Sequence, residues 1–202
     1  MTLKVKRTSL FLVAGWTAVA LLVTTQSAAA HPGHDSMSGF VTGIQHPLSG
    51  IDHFLAMIAV GLWAGLCGGR REWLWPATFV TSMIAGSAIG LYATTTTSVE
   101  WAILESVMTL GLATALRLRA PLILGGIVIA AFGFAHGFAH GREMPHSANG
   151  LDFAAGFTVA TSMLHLVGVS AAATLRRLKI DVVTRFAGIG IVIAGIGLIV
   201  GV

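Results

Sequence analysis

Six apolar segments succeed one another through the chain with only short polar connections: about Ile51–Cys67, Trp73–Tyr92, Trp101–Leu116, Leu122–His140, Phe153–Leu175 and Phe186–Val202. Each is near the ~20 residues that a bilayer-spanning helix needs. In lipid, every backbone N–H and C=O must be satisfied internally, so runs of this length become helices. Only 10% of the 202 residues are charged and 55% are hydrophobic, with a mean hydropathy of +0.84. A soluble domain carries roughly 25% charged residues. The expected fold is an all-α membrane protein, with six transmembrane helices in one compact domain.

A leader precedes these segments. Met1–Arg7 is a basic start, Leu10–Val23 an apolar stretch, and Ala28-Ala29-Ala30 a small-residue cleavage site. This is the signal-peptide pattern. The expected organisation is residues 1–30 as signal peptide and 31–202 as the transmembrane domain, with His31 as the new N-terminus. The other reading of the leader is a retained first helix. Three of the 12 Lys and Arg (Lys4, Lys6, Arg7) lie in the leader, leaving 9 against 8 Asp and Glu. The near-neutral remainder argues against a nucleic-acid partner. Cys67 is the one cysteine, which excludes an internal disulfide and a cysteine-based metal cage.

Charge sets the orientation. A cleaved leader puts His31 outside, so the first span runs inward. The inner connections then hold Arg70, Arg71, Arg117, Arg119, Arg176, Arg177, Lys179 and Arg185, against Arg142 alone outside. This is the positive-inside asymmetry. The expected location is the bacterial inner membrane, multi-pass, with the mature N-terminus outside. Three helices before the Arg117–Arg119 connection and three after it would allow inverted halves, although no sequence repeat supports them.

The same map gathers the chemistry at one face. Seven of the eight histidines fall on or near the outer side; only His165 is deep, ~20 Å along its helix from Asp152. Ionisable groups in a membrane segment are costly and point to function. His136 and His140 are four apart, so a helix places them on one face, spaced to share an ion. Gly133, Gly137 and Gly141 clear room along that helix. Asp52 and His53 are adjacent and therefore diverge, so that one can bind while the other orients a ligand, unless Asp52 simply caps its helix. Pro47 and Gly50 allow His46 to fold back over the helix mouth. His165 and Glu105 are further candidate ligands within spans. Imidazole with carboxylate suits nickel, cobalt and zinc, and the lack of thiolates argues against copper(I).

These residues carry a resemblance. A leader, then His-Pro-Gly-His at His31–His34, His-Pro-x-x-Gly-x-Asp-His at His46–His53 and Ala-His-Gly-x-Ala-His-Gly at Ala135–Gly141 together resemble the HupE/UreJ family. The resemblance covers nearly the whole chain after the leader. It implies a six-helix inner-membrane permease for nickel, or cobalt in some members, that accompanies nickel hydrogenases or ureases. Carried over onto this chain, it implies His46, Asp52, His53, His136 and His140 as metal ligands. The larger nickel/cobalt transporter signature has four residues between its histidine and Asp-His; here five intervene.

The expected function is secondary transport of Ni2+, with Co2+ next, into the cytoplasm, by a protein that is not an enzyme and holds no permanently bound cofactor. A terminal His31 offers its α-amine and imidazole as a chelating pair beside His34, suited to capturing ions ahead of His46 and His53. Expected partners are the metal ion and membrane lipid; a homo-oligomer stays open. The enzymatic alternative is an intramembrane zinc hydrolase, with histidines on zinc and Asp or Glu as base. A haem carrier ranks third, since it wants histidines paired at matched depth on facing helices.

Overall fold

The computed structural model describes residues 39–93, 99–143 and 149–201. Seven helices run through them: α1 (Gly39–Ser49), α2 (Ile51–Cys67), α3 (Arg71–Gly90), α4 (Glu100–Ala115), α5 (Leu122–Glu143), α6 (Asn149–Arg177) and α7 (Val182–Val200). No strand occurs among the described residues. Helices α2–α7 fall on the six expected apolar segments. The expected leader, with His31 and His34, lies outside the described residues.

The addition is α1. It is a short helix with Pro47 in its last turn, and the chain bends by 81° before α2. By length and composition α5, α6 and α7 can each cross a membrane, and α1 with α2 makes a fourth if the bent pair is one span. The 17 residues of α2 and 16 of α4 are short of a full span on their own. A central position compensates α2: every residue from Ala59 to Leu66 is buried, as expected of a helix that is apolar all round.

Small residues decide which helices pair. The partners are α3 with α5, α6 with both α1 and α2, and α4 with α7. Between α3 and α5 the glycines of each helix meet the backbone of the other. A methyl on Gly133, Gly137 or Gly141 would strike the backbone of Phe79, Met83 or Ser87, and one on Gly86 or Gly90 would strike Phe134 or Phe138. The same device joins α2 to α6 through Gly61 and Gly168, and α1 to α6 through Gly43 and Gly156. Association in lipid rests on such backbone approach, because there is no hydrophobic gain between helices. Gly68 and Gly69 make the α2–α3 turn at φ 73° and 65°, a region that favours glycine.

Large apolar side chains face outward on several helices, among them Ile84, Ile123, Ile127, Ile193 and Phe186. Trp73 is exposed near the start of α3, and Tyr92 and Trp101 near the opposite end of the bundle. Aromatic residues at both ends of an apolar surface match the two interfaces of a bilayer.

Directional bonds concentrate at the end that carries the basic connections. Trp63 Nε1 donates to the Leu118 carbonyl at 2.8 Å, Trp75 Nε1 to Leu122 at 3.0 Å and Arg71 Nε to Ala120 at 3.1 Å. Arg176 pairs with Glu72, and Arg117 with Asp181. The histidine motifs occupy the opposite end.

Candidate functional site

Three helices bring four imidazoles together. His46 comes from the last turn of α1, His53 from the first turn of α2, and His136 and His140 from the last two turns of α5. Ring centroids are 4.6 Å apart for His46–His140 and for His53–His140, 5.4 Å for His53–His136 and 6.1 Å for His46–His53. Two imidazoles that share an ion at a metal–nitrogen distance of ~2.0–2.1 Å have ring centres roughly 5 Å apart. As the side chains stand, no three His, Cys, Asp or Glu donors among the described residues converge on one ion. The rings have the spacing of a shared site; their nitrogens are not all turned to one point.

The 81° bend is what brings His46 in. Gly50 sits at that bend, and its φ of −84° suits any residue. Space is the actual constraint, because a Cβ there would lie 3.0 Å from both Asp52 Oδ1 and His53 Nδ1.

Asp52 and His53 interact with each other, contrary to the expectation that adjacent side chains would diverge. Asp52 Oδ1 accepts from the His53 backbone N–H and from Nδ1–H, each at 2.7 Å. Gly50 is the residue that caps α2, so Asp52 does not cap it. His136 is held in the same way: its Nδ1–H donates to the Phe132 carbonyl at 2.9 Å. A carboxylate and a carbonyl only accept, so each ring in its neutral form carries the proton on Nδ1 and presents a lone pair at Nε2. Both Nε2 atoms are buried and have no protein partner. Metal-binding histidines typically donate their second ring nitrogen to a carboxylate or backbone carbonyl.

Burial grades inward. Asp52 is 32% exposed and His53 12%, while His140 is 3% and His136 0%. Phe153 and Phe157 of α6 form one wall, with Phe157 at 4.4 Å from His140 and 5.9 Å from His46. A mostly apolar groove between α3 and α6, lined by Met83, Ser87, Leu91, Phe153 and Phe157, also reaches His140. Phe79 of α3 touches His136 at 5.3 Å and His165 at 4.9 Å.

His165 is fully buried on α6 and stands apart from the four-ring cluster. Glu105 is exposed on α4, and Asp152 is exposed at the start of α6. The structure therefore gathers five of the nine expected ligands, His46, Asp52, His53, His136 and His140. Phe79 and Phe157 were not anticipated. An aromatic residue in an apolar helix gives no sequence signal that separates it from core filling.

The chain matches the HupE / UreJ protein family over residues 19–198. It is 38% identical over 185 residues to Protein HupE of Rhizobium leguminosarum bv. viciae, covering 92% of this chain and 96% of that one. No solved structure matches it.

Proposed function

The chain belongs to the HupE / UreJ family, and from that premise and its several apolar helices, which make it a multi-pass membrane protein, we propose that it is a divalent transition-metal permease of the bacterial inner membrane. Nickel is the expected cargo and cobalt the next. The ion enters from the outside, exchanges part of its water for imidazole at His46, His53 and His140, and passes inward to His136. Asp52 holds His53 and lowers the cost of a cation at the mouth. In this reading α2–α7 cross the bilayer, the short helices α2 and α4 being sheltered by their neighbours, and His31 and His34 of the processed N-terminus feed the vestibule. The family's association with hydrogenases and ureases makes delivery to a nickel enzyme the expected purpose.

The observation that carries the reading is the matched state of His53 and His136. Each is pinned through Nδ1, each has a buried, unpartnered Nε2, and the two rings stand 5.4 Å apart in the same cluster. A hydrolase would also need a carboxylate free to act as base. Asp52 is the carboxylate at this cluster that the structure describes, and His53 already engages it. The test is uptake of radioactive nickel and cobalt by cells expressing the chain. His53→Ala and His136→Ala should each remove most uptake at unchanged membrane abundance. Normal uptake by both variants would sink the proposal.

A further inference from the structure

Deeper in the bundle lies a second polar pair that the protein leaves unsatisfied. His165 is 0% exposed, and neither of its ring nitrogens has a hydrogen-bond partner. Thr161, four residues earlier and so on the same face of α6, is also 0% exposed with Oγ1 unpartnered. Both groups had local solutions available. Ser106, Thr114 and Ser162 each donate to a carbonyl three or four residues back, and His136 does so through Nδ1. Thr161 and His165 use none. Thr184 shares the orphaned hydroxyl, but it lies in the first turn of α7 at the cytoplasmic end, with no histidine on the preceding or following turn.

A buried polar group without a partner is uncommon and calls for a reason. A neutral imidazole offers one donor and one acceptor, and a hydroxyl offers both. A partly hydrated cation fits this pair: the metal takes the imidazole lone pair, and one of its remaining waters donates to the hydroxyl oxygen. Position fits the same role. His165 is eight residues beyond Phe157, ~12 Å further along α6. The ring of Phe79 contacts both His136 and His165, so it lies between the last vestibule histidine and this pair. On the α2 side, Gly61 faces the His165 backbone with no side chain of its own.

We propose that His165 and Thr161 form a second, inner binding station for the permeating divalent ion, reached from His136 past Phe79. This rests on the permease reading and adds a site to it. Cobalt(II) is the probe, because its visible absorption reports ligand number and its binding can be counted by titration. The purified full-length protein should bind two ions and the His165→Ala variant one, with the vestibule signal kept. Cellular uptake by His165→Ala should fall at least tenfold. Thr161→Val, equal in shape and lacking the hydroxyl, should reach the membrane normally and lower uptake severalfold; it decides the matter if His165→Ala fails to fold. Wild-type stoichiometry in His165→Ala, or uptake within twofold of wild type in Thr161→Val, would overturn the inner station. The vestibule reading is judged separately by His53→Ala, which should lose the other ion and leave the His165 signal in place.

Discussion

Replacing Asp52 tests whether the vestibule works through an oriented imidazole. In Asp52→Asn the side chain keeps its shape and an acceptor oxygen for His53 Nδ1–H, which now lies 2.7 Å from a carboxylate. What disappears is the charge. A hydrogen bond to a charged group is worth ~1.5–3 kcal/mol against ~0.5–1.5 for a neutral one, so the variant loses roughly 1–1.5 kcal/mol of support for a cation-bound ring. At 1.4 kcal/mol per factor of ten, that is about a tenfold rise in the ion concentration giving half-maximal uptake. Asp52→Ala also releases the ring, and should approach the ~100-fold upper range for loss of a ligand's supporting partner. Proximity to the α2 N-terminus offers a competing account, since a carboxylate there stabilises a helix by ~0.3–1 kcal/mol. That effect would lower abundance or stability and leave the concentration dependence unmoved. The assay is nickel uptake against concentration, normalised to protein in the membrane. Half-saturation within twofold of wild type in both variants would refute the orienting role.

Three further outcomes follow from other parts of the fold. Gly137→Ala should push α5 away from the Met83 backbone, at a cost of ~1–3 kcal/mol for overpacking, seen as a lower melting temperature in detergent; an unchanged melting curve contradicts the close contact. Glu72→Gln should loosen the pair with Arg176 and speed alkylation of Cys67, whose thiol contacts the Leu118 carbonyl nearby; an unchanged rate means the pair does not hold that end shut. In a Cys67→Ser background, a cysteine at Ala93 should react with an impermeant thiol reagent in intact cells and one at Lys179 should not, and the reverse pattern overturns the orientation.

The helices were legible because each is an apolar run closed by charged or turn residues, and α2–α7 fall near the expected segments. The His136–His140 pair was legible because a spacing of four on a helix has a fixed geometric meaning. The short helix α1 was not. Its residues, GFVTGIQHPLS, combine two glycines and a proline with a modest apolar content, and what holds it is the close α1–α6 approach, with Gly43 on the backbone of Phe153 and Phe157 and Gly156 on that of Phe40 and Ile44, contacts far apart in sequence. Glu105 is a different case. A carboxylate one turn into an apolar run reads as functional, yet rotation about α4 points it outward. The Asp52–His53 bond escaped because helix periodicity treats neighbours as diverging, while the first turn of α2 leaves the carboxylate free to fold back onto its own backbone. Thr161 was within reach, since it precedes His165 by the same four residues that singled out His136 and His140.

The two ends of the bundle are built from different interactions, and the difference bears on how an ion could leave. At the end that carries the basic connections, the α4–α5 connection and the start of α5 are fastened to α2 and α3 by indole and guanidinium donors on the carbonyls of Leu118, Ala120 and Leu122. Ion pairs add α3 to α6 through Glu72 and Arg176, and the α4–α5 connection to the base of α7 through Arg117 and Asp181. Around the histidines, the described contacts between α1, α2, α5 and α6 run largely through the faces and edges of rings. Ring contacts are weakly directional and can re-form after a small rotation, at ~0.5–1.5 kcal/mol per pair. A buried donor separated from its acceptor costs ~1–3 kcal/mol with nothing to replace it. Under the permease reading, the histidine end can therefore adjust around an arriving ion with the rest of the bundle unmoved. Release inward requires several bonds at the other end to yield together. In that reading, the asymmetry assigns capture to local side-chain movement and the slow conformational step to the end with the basic connections, where the chain has placed its directional bonds.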